Sequence, residues 1–180
     1  QTVNGLVEQD ETIRANTTVE RLATLESPFR NDELSARFPQ IGWNVTAGNA
    51  SQISDGAAAI LIVSERMATK LGLKPRARFV GFDVIGANPL EMLTAPIPAT
   101  QRVLAKTDMT LEQIAHYEIN EAFASVPLAW QKTMKADGAR LNPRGGAIAL
   151  GHPLGASGVR LMTTMLHALE DSGERFGLQS

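Results

Sequence analysis

Apolar residues form an unbroken run from residue 56 to 63, with the sequence Gly-Ala-Ala-Ala-Ile-Leu-Ile-Val. The length of the run and its Ile and Val residues predict a buried strand, although its Ala-rich beginning leaves a helix open. The residues that follow predict a helix, with Ser64 as its N-cap and Gly72 after its end. Two further strands are predicted, over residues 78–85 and 117–120.

Apolar residues recur at helical spacing over most of the chain between these strands. A short helix is predicted over residues 17–25, because Val19 and Leu22 are three positions apart and Pro28 follows. Further helices are predicted over 98–106, at the capping-box sequence 110–113, over 121–135, and from Gly158 to beyond Leu169. Alternating strands and helices predict an α/β fold in which crossover connections join the strands.

Composition narrows the class of protein. Of the 180 residues, 43% are hydrophobic and 20% are charged, which is typical of a folded globular chain. The net charge of -2 argues against a general binder of nucleic acid, so an anionic ligand would have to be held locally. The chain has no cysteine, which excludes disulfides and thiolate metal sites within it, and it has no apolar run of about 18 residues that would predict a membrane span.

Both ends of the sequence suggest a piece of a longer protein. The first residues, from Gln1, contain neither an initiator methionine nor the features of a signal peptide. The last residues, from Phe176 to Ser180, predict the beginning of a strand. We therefore expect flanking sequence on both sides.

A glycine-rich loop from residue 145 to 158 contains five glycines and a single histidine, His152, between Gly151 and Pro153. Glycine permits tight backbone turns, and proline restricts the backbone next to the imidazole. Because a helix is predicted to begin just after it, the loop would favour an anion or a thiolate near His152. The alternative is an ordinary turn that contains a histidine. The glycine spacing does not match a nucleotide-binding loop.

Two other segments place polar groups where α/β folds build sites. Asn120 and Glu121 follow a predicted strand, so the Asn120 amide could hold a water or an oxyanion, or could instead cap a helix. Residues 44–51 are small and polar, and they predict either a plain turn or a surface for an extended ligand. His116 and His167 are interpreted as packing or surface residues. No histidine and carboxylate spacing suggests a metal site.

Taken together, these segments resemble the thiolase family. Thr46-Ala47-Gly48-Asn49-Ala50-Ser51 is similar to its turn that binds coenzyme A (CoA), and Asn120-Glu121-Ala122-Phe123-Ala124 to its Asn-Glu-Ala-Phe motif. The loop of residues 145–158 is similar to its Gly-His-Pro motif almost letter for letter. The order and spacing of the three motifs also fit, and the resemblance covers nearly the whole chain, most weakly in residues 1–40.

The resemblance implies an α/β fold of the thiolase type, in which the C-terminal lobe has a mixed five-stranded sheet covered by helices. Residues 1–42 would be the end of a CoA-binding excursion and the link from an N-terminal half. Residues 43–180 would be the C-terminal domain, ending before its last strands and before the segment with the second catalytic cysteine. The implied reaction is CoA-dependent cleavage of a 3-ketoacyl-CoA, or the reverse Claisen condensation.

The resemblance also implies roles for individual residues. His152 would activate a cysteine outside this chain and donate to the thioester oxygen, Asn120 would hold a water that also donates to it, and Glu121 would orient neighbouring groups. Six residues would contact CoA: Ala47, Ala50, Ser51 and Phe123 along the pantetheine, and Arg14 and Leu22 near the adenine.

The implied partners follow from the same comparison. CoA and acyl-CoA would be substrates, with no permanently bound cofactor and no metal. The chain would work with the N-terminal thiolase half, in a homodimer or homotetramer, in the cytoplasm of a bacterium or in the mitochondria or peroxisomes of a eukaryote. Two alternatives are a non-catalytic thiolase-like subunit that binds acyl-CoA or a partner chain, and a ketoacyl synthase. The latter is disfavoured because that class uses two histidines with one cysteine.

Overall fold

A computed structural model describes residues 5–6, 8–10 and 12–180. The remaining residues of the predicted excursion, 1–4, 7 and 11, lie outside the described residues. The chain divides into two compact units, Gln1–Asn49 and Ala50–Ser180. Each unit is described by itself below. Within the described part of the chain, none of the helices is long and apolar enough to cross a membrane.

Among its described residues, the first unit contains two short helices and a turn. Helix α1 spans Val19–Ala23 inside the predicted segment 17–25, and the Thr18 side chain caps it by accepting from the Arg21 amide. Helix α2 spans Asp32–Arg37, was not predicted, and is capped by Asn31. Neither helix buries a residue, so local capping rather than packing accounts for where each begins.

The second unit contains five helices and two strands among its described residues. The helices are α3 (Glu65–Lys70), α4 (Pro96–Thr107), α5 (Ser125–Met134), α6 (Ala147–Leu150) and α7 (Ser157–Ser172). The strands are β1 (His116–Glu118) and β2 (Gly177–Gln179), and single 3-10 turns span Leu111–Gln113 and Gly138–Arg140. The helices predicted from residues 65, 98 and 158 are confirmed with shifts of one or two residues, and the predicted capping box between Thr110 and Gln113 is present.

Helix α5 begins later than predicted. The expected start at Glu121 is wrong, because residues 121–124 are not helical and α5 begins at Ser125. Pro127 therefore lies in the first turn, where its missing amide hydrogen costs no helical hydrogen bond. Lys135 adopts a left-handed φ of 55° and ends the helix.

The two strands pair in parallel, and the chain that connects them includes helix α7. Tyr117 is in register with Leu178, and the ladder continues past both strands because Asn120 N donates to Ser180 O at 2.8 Å. One side of this sheet packs into the hydrophobic core with Trp130 of α5. Helix α7 packs against both strands, and Gln179 Nε2 donates to Gly158 O at its first turn. The fold thus brings the ends of the strands close to the first turn of α7.

The predicted strands over 56–63 and 78–85 are not present as strands. Among the described residues, no backbone hydrogen bond joins either segment to a neighbour, and their apolar side chains are exposed, with Leu61 at 74% and Val84 at 89%. A strand needs a partner for its backbone groups, and the described residues offer these segments none. Of the five strands expected for the sheet, the described part of the chain forms two.

Candidate active site

Residues 50–54 lie between the Asn-Glu-Ala-Phe segment and the Gly-His-Pro loop and bond to both. Ser51 N donates to Ala122 O at 3.1 Å, and His152 N donates to Gln52 O at 2.7 Å. An isolated antiparallel β-bridge between Ala50 and Phe123 reinforces the first contact. An isolated parallel β-bridge between Ile53 and His152 reinforces the second. The structure therefore brings parts of all three sequence motifs together within the second unit.

His152 is half-buried, and its ring is held by a serine that the sequence analysis did not select. Nδ1 lies 2.7 Å from Oγ of the buried Ser157, and that hydroxyl also lies 3.1 Å from the carbonyl of Pro153, to which it donates. Since the hydroxyl hydrogen is directed at Pro153, the serine oxygen is best placed to accept a hydrogen from Nδ1. This arrangement favours the tautomer whose Nε2 is unprotonated and can act as a base.

The backbone beside His152 requires glycine. Gly151 has a φ of +91°, in the left-handed region, and a side chain there would collide with Ser54. The close approach of Ser54 is part of the same contact that joins residues 50–54 to the loop. Glycine at 151 thus both turns the chain and admits its neighbour.

Asn120 continues the β1 ladder and does not cap a helix. Helix α5 begins five residues later, after Ala124, so the alternative interpretation of Asn120 as a cap is wrong. Its Oδ1 is buried and has no hydrogen-bond partner among the described residues. An amide held in this way can present its Nδ2 hydrogens to a water or an oxyanion.

Glu121 joins two loops of the second unit. Its Oε1 accepts from Asn142 Nδ2 at 2.8 Å, and its Oε2 accepts from the backbone N of Ile148, in the first turn of α6, at 3.0 Å. Gly146 leaves room for this carboxylate, because a Cβ at that position would overlap it. The contacts fit the expected orienting role, in which Glu121 holds the beginning of the loop that leads to His152.

Asn142 is a second residue that the sequence analysis did not select. Its side chain pairs with the backbone of Ile119, accepting from the amide and donating to the carbonyl at 2.9 Å each. It adopts a left-handed φ of 44°, which asparagine tolerates better than most residues. The Asn-Pro sequence before the glycines was the available signal, because both residue types are typical of turns.

Three of the expected CoA-binding residues lie in the second unit. Ala50 and Phe123 are half-buried and paired with each other, and the Ser51 hydroxyl donates to Ala122 O at 3.1 Å. The hydrogen of that hydroxyl is therefore directed at the protein, and a ligand would meet the Ser51 oxygen as an acceptor.

The other three expected CoA-binding residues lie in the first unit. Ala47 is exposed in a turn closed by Thr46 and Asn49, which fits either interpretation of this segment. Leu22 lies next to that turn, because its methyl groups would meet a side chain added at Gly48. Arg14 is exposed and accepts from Thr17 through its backbone carbonyl.

No group of three or more potential metal-ligating side chains occurs in the part of the chain that the structure describes. A cleft of about 580 Å³ near the beginning of β1 is lined by polar residues that include His116, Arg140 and Arg144. It contains none of the predicted site residues. The prediction that the chain needs no metal rests on the sequence pattern alone.

Comparison with known families decides the identity of the fold. The family model of the thiolase C-terminal domain matches residues 73–180, and that of the thiolase N-terminal domain matches residues 1–66. The chain belongs to the thiolase family. The chain thus includes the end of the region assigned to the N-terminal domain, and the expected boundary between 42 and 43 stays a prediction.

Individual thiolases are similar over nearly the whole chain. A steroid 3-ketoacyl-CoA thiolase of Mycobacterium tuberculosis is 49% identical over 93% of this chain and 44% of its own length. A beta-ketoadipyl-CoA thiolase of Acinetobacter baylyi is 45% identical over 97% of this chain and 42% of its own length. The chain therefore spans less than half the length of these curated relatives.

Solved thiolase structures confirm the α/β fold. The acetyl-CoA acetyltransferase of Bacillus anthracis superposes with a TM-score of 0.85 at 40% identity, over 96% of this chain and 41% of that one. Human mitochondrial 3-ketoacyl-CoA thiolase in complex with CoA superposes with a TM-score of 0.85 at 39% identity, over the same shares. The family predicted from the three motifs is thereby confirmed.

Proposed function

We propose that this chain supplies the thioester-polarising and CoA-binding part of a thiolase that catalyses CoA-dependent acyl transfer. One observation supports this most directly: residues 50–54 bond to both the Asn-Glu-Ala-Phe segment and the Gly-His-Pro loop. The names of the similar proteins, which are 3-ketoacyl-CoA and beta-ketoadipyl-CoA thiolases, agree with it. The substrate class is accordingly a 3-ketoacyl-CoA for cleavage, or two acyl-CoAs for condensation.

The first chemical step needs a thiolate that this chain does not contain. A cysteine thiol has an ordinary pKa near 8.5 and is mostly protonated at neutral pH. Nε2 of His152, left unprotonated by the contact between Nδ1 and Ser157, takes the proton from a cysteine of the N-terminal half. The resulting thiolate attacks the substrate carbonyl and becomes acylated, and the imidazolium then carries hydrogens on both nitrogens.

Negative charge develops on the thioester oxygen, either as the sulfur attacks an acyl-CoA in condensation or as the carbon–carbon bond of a 3-ketoacyl-CoA breaks in cleavage. The Nε2 hydrogen of the His152 imidazolium donates to that oxygen, and Asn120 holds a water that supplies a second donor. In the cleavage direction the carbon–carbon bond breaks, and a second cysteine outside this chain protonates the leaving carbon, which departs as acetyl-CoA. A CoA thiol then takes the acyl group from the first cysteine and returns a proton to the enzyme.

CoA would lie along Ala47, Ala50, Ser51 and Phe123, with its adenine end toward Arg14 and Leu22. The small residues leave room for pantetheine against the backbone, and Phe123 adds an apolar contact. We further propose that the longer protein forms a homodimer or homotetramer. Its place would be the bacterial cytoplasm, or the mitochondrion or peroxisome of a eukaryote.

The experiment is a steady-state assay of acetoacetyl-CoA cleavage by the longer protein carrying His152→Ala. We expect turnover to fall by roughly a hundred- to ten-thousandfold, the usual contribution of a general base, with the fold intact by circular dichroism. The matched control is His167→Ala, because that histidine is exposed on α7 and contacts Arg76 and Glu170 rather than the site.

Two results would overturn parts of this proposal. Near-wild-type turnover of His152→Ala would remove His152 from the mechanism. A wild-type protein that binds acetoacetyl-CoA without cleaving it, and that also forms no acetoacetyl-CoA from acetyl-CoA, would instead indicate the non-catalytic subunit.

A further inference from the structure

A layer of polar side chains with buried polar atoms lies between the sheet and the first half of α7; two of the residues are buried and three are half-buried. We call it the buried polar layer and define it as His116, Glu118, Asn120, Arg160 and Gln179. The first three alternate along β1 and its extension and so share one face of the sheet, and Gln179 is in register with Glu118 on the neighbouring strand. The opposite face is apolar, so this layer is not needed to fill the core.

Charge is concentrated at the centre of the layer. Glu118 is 0% exposed, its Oε1 lies 2.6 Å from His116 Nε2, and its Oε2 lies 3.9 Å from Arg160 Nη1. The 2.6 Å contact is a hydrogen bond, but 3.9 Å is too long for one. Arg160 is therefore attracted by Glu118 without being bonded to it.

Several polar atoms of the layer have no partner. Within the described residues, the buried side-chain atoms that lack a hydrogen bond are Glu118 Oε2, Asn120 Oδ1, Gln179 Oε1 and all three guanidinium nitrogens of Arg160, together with the two carboxylate oxygens of Asp83. Asp83 has ion pairs with Arg102 and Lys106. The rest belong to one layer, where an unpaired donor of Arg160 lies 3.9 Å from the unpaired Oε2 of Glu118.

Buried groups of this kind normally find partners, and water commonly bridges gaps too long for a direct bond. A water between Arg160 and the neighbouring oxygens would satisfy donors and acceptors at once. For Asn120 the consequence is geometric, because an amide that accepts at Oδ1 from the α7 side has its Nδ2 hydrogens directed away from that side.

We propose that Arg160 is a positioning residue for the oxyanion site, acting through Asn120. A water held by Arg160 donates to Asn120 Oδ1 and fixes the orientation in which Nδ2 holds the second water, the one that donates to the reacting oxygen. Glu118, held in turn by His116, keeps the guanidinium in place. This inference rests on the proposed function in one respect only, namely that Asn120 contributes to the oxyanion site.

The first test compares Arg160→Met with Arg160→Lys in the longer protein, using acetoacetyl-CoA and CoA. Methionine keeps apolar volume and removes every donor, whereas lysine keeps one charged donor group. We expect kcat of Arg160→Met to fall roughly ten- to a hundredfold, less than the hundred- to thousandfold typical of removing an oxyanion donor itself. KM for CoA should change little, and Arg160→Lys should recover part of the loss.

Arg76→Met is the matched control, because Arg76 also lies near a glutamate, Glu170 of α7, but is about half-exposed. It should leave kcat unchanged. Wild-type kcat in a folded Arg160→Met protein would overturn the proposal, as would a loss that appears equally in Arg76→Met.

A double variant separates positioning from general destabilisation. If Arg160 acts through Asn120, Arg160→Met should cause no more than a twofold further loss of kcat in a protein that already carries Asn120→Ala. A further loss as large as in the wild-type background would overturn the proposal.

A second readout is independent of turnover. In a crystal structure of the longer wild-type protein, we expect an ordered water within hydrogen-bond distance of both the Arg160 guanidinium and Asn120 Oδ1. Another side chain on that oxygen, or no water there, would overturn the inference even if Arg160→Met does not fold. If the wild-type protein has no thiolase activity, the proposed function fails while this structural test still decides the contact.

Discussion

At the scale of single residues, the contact between Ser157 and His152 decides which imidazole nitrogen is free to act as a base. Ser157 is only 4% exposed, so water does not readily replace its hydroxyl. Its position at the first residue of α7 ties the ring of His152 to a long, well-packed helix. A rigid element thus holds the ring, although His152 itself lies in a loop.

We expect Ser157→Ala to lower kcat of the longer protein by roughly tenfold, because a net hydrogen-bond contribution of about 1–1.5 kcal/mol corresponds to that factor. The measurement is steady-state cleavage of acetoacetyl-CoA. Ser172→Ala, at the far end of the same helix, is the control, since that hydroxyl bonds only to the helix carbonyls of Ala168 and Leu169. Equal activities of the two variants would show that Ser157 does not orient the ring.

The sequence predicted the residues of the candidate site better than their contacts. His152 and Asn120 stand out because residue type and motif point to their chemistry directly. Ser157 does not, because a serine at a helix start most often caps the helix. Its contact depends on the left-handed turn at Gly151, which brings the imidazole back over the helix start, and such a turn cannot be derived from residue types alone.

At the scale of elements, most helices were predicted, whereas of the four predicted strands only those near residues 117 and 177 are present, as β1 and β2. Caps such as Ser64 and the pair Thr110 and Gln113 act within four residues, so the local sequence contains the whole signal. The apolar run 56–63 has the composition of a strand, but a strand exists only when a partner pairs with it. β1 and β2 form because α7 brings their backbones together, which neither sequence reveals by itself.

Asp83 connects the segment 78–85 to α4 and provides a pH-dependent test. Its side chain is 1% exposed and lies 2.5 Å from Lys106 Nζ and 3.1 Å from Arg102 Nε. The nearby ammonium of Lys106, followed by the charge of Arg102, holds the pKa of Asp83 below its ordinary value, although burial opposes this shift. Since the folded pKa lies below the unfolded value of about 3.9, the stabilisation is present above that value and is lost as the pH falls through the folded pKa.

We therefore expect Asp83→Asn to lower the Tm at pH 7 and the difference from wild type to shrink as the pH falls below about 4. Thermal unfolding of the longer protein at several pH values measures this. Asp171→Asn should have a smaller effect at pH 7, because the pair of Asp171 with Arg144 is exposed. A Tm difference between Asp83→Asn and wild type that stays constant down to pH 2.5 would contradict the stabilising role of the ionised Asp83.

At the scale of the whole molecule, this chain contains His152 and Asn120, the proposed base and oxyanion residue, but no cysteine. Its relatives are more than twice as long, and the apolar segments exposed here have the composition of buried strands. Fold class and family could be predicted because the three motifs have a characteristic order. The arrangement of the remaining strands could not, because their pairing depends on residues distant in the sequence.

We expect a purified polypeptide of residues 1–180 to cleave no acetoacetyl-CoA, and cleavage to appear only when the N-terminal thiolase half and the segment with the second cysteine are both supplied as further polypeptides. The nucleophile would then come from one polypeptide and His152 from another. The same mixture made with His152→Ala should stay inactive. Cleavage by residues 1–180 alone would show that the chemistry has been assigned wrongly.

The five residues 50–54 have a consequence for motion. They bond to Ala122 on one side and to His152 on the other, and together with the contact between Glu121 and Ile148 they tie the two loops to each other. A fluctuation large enough to release one loop disturbs the support of the other, so the pair should open as one cooperative unit. Substrate entry would then be governed by the opening rate of this unit. A change in loop dynamics would affect His152 and Asn120, the two proposed parts of the oxyanion site, together.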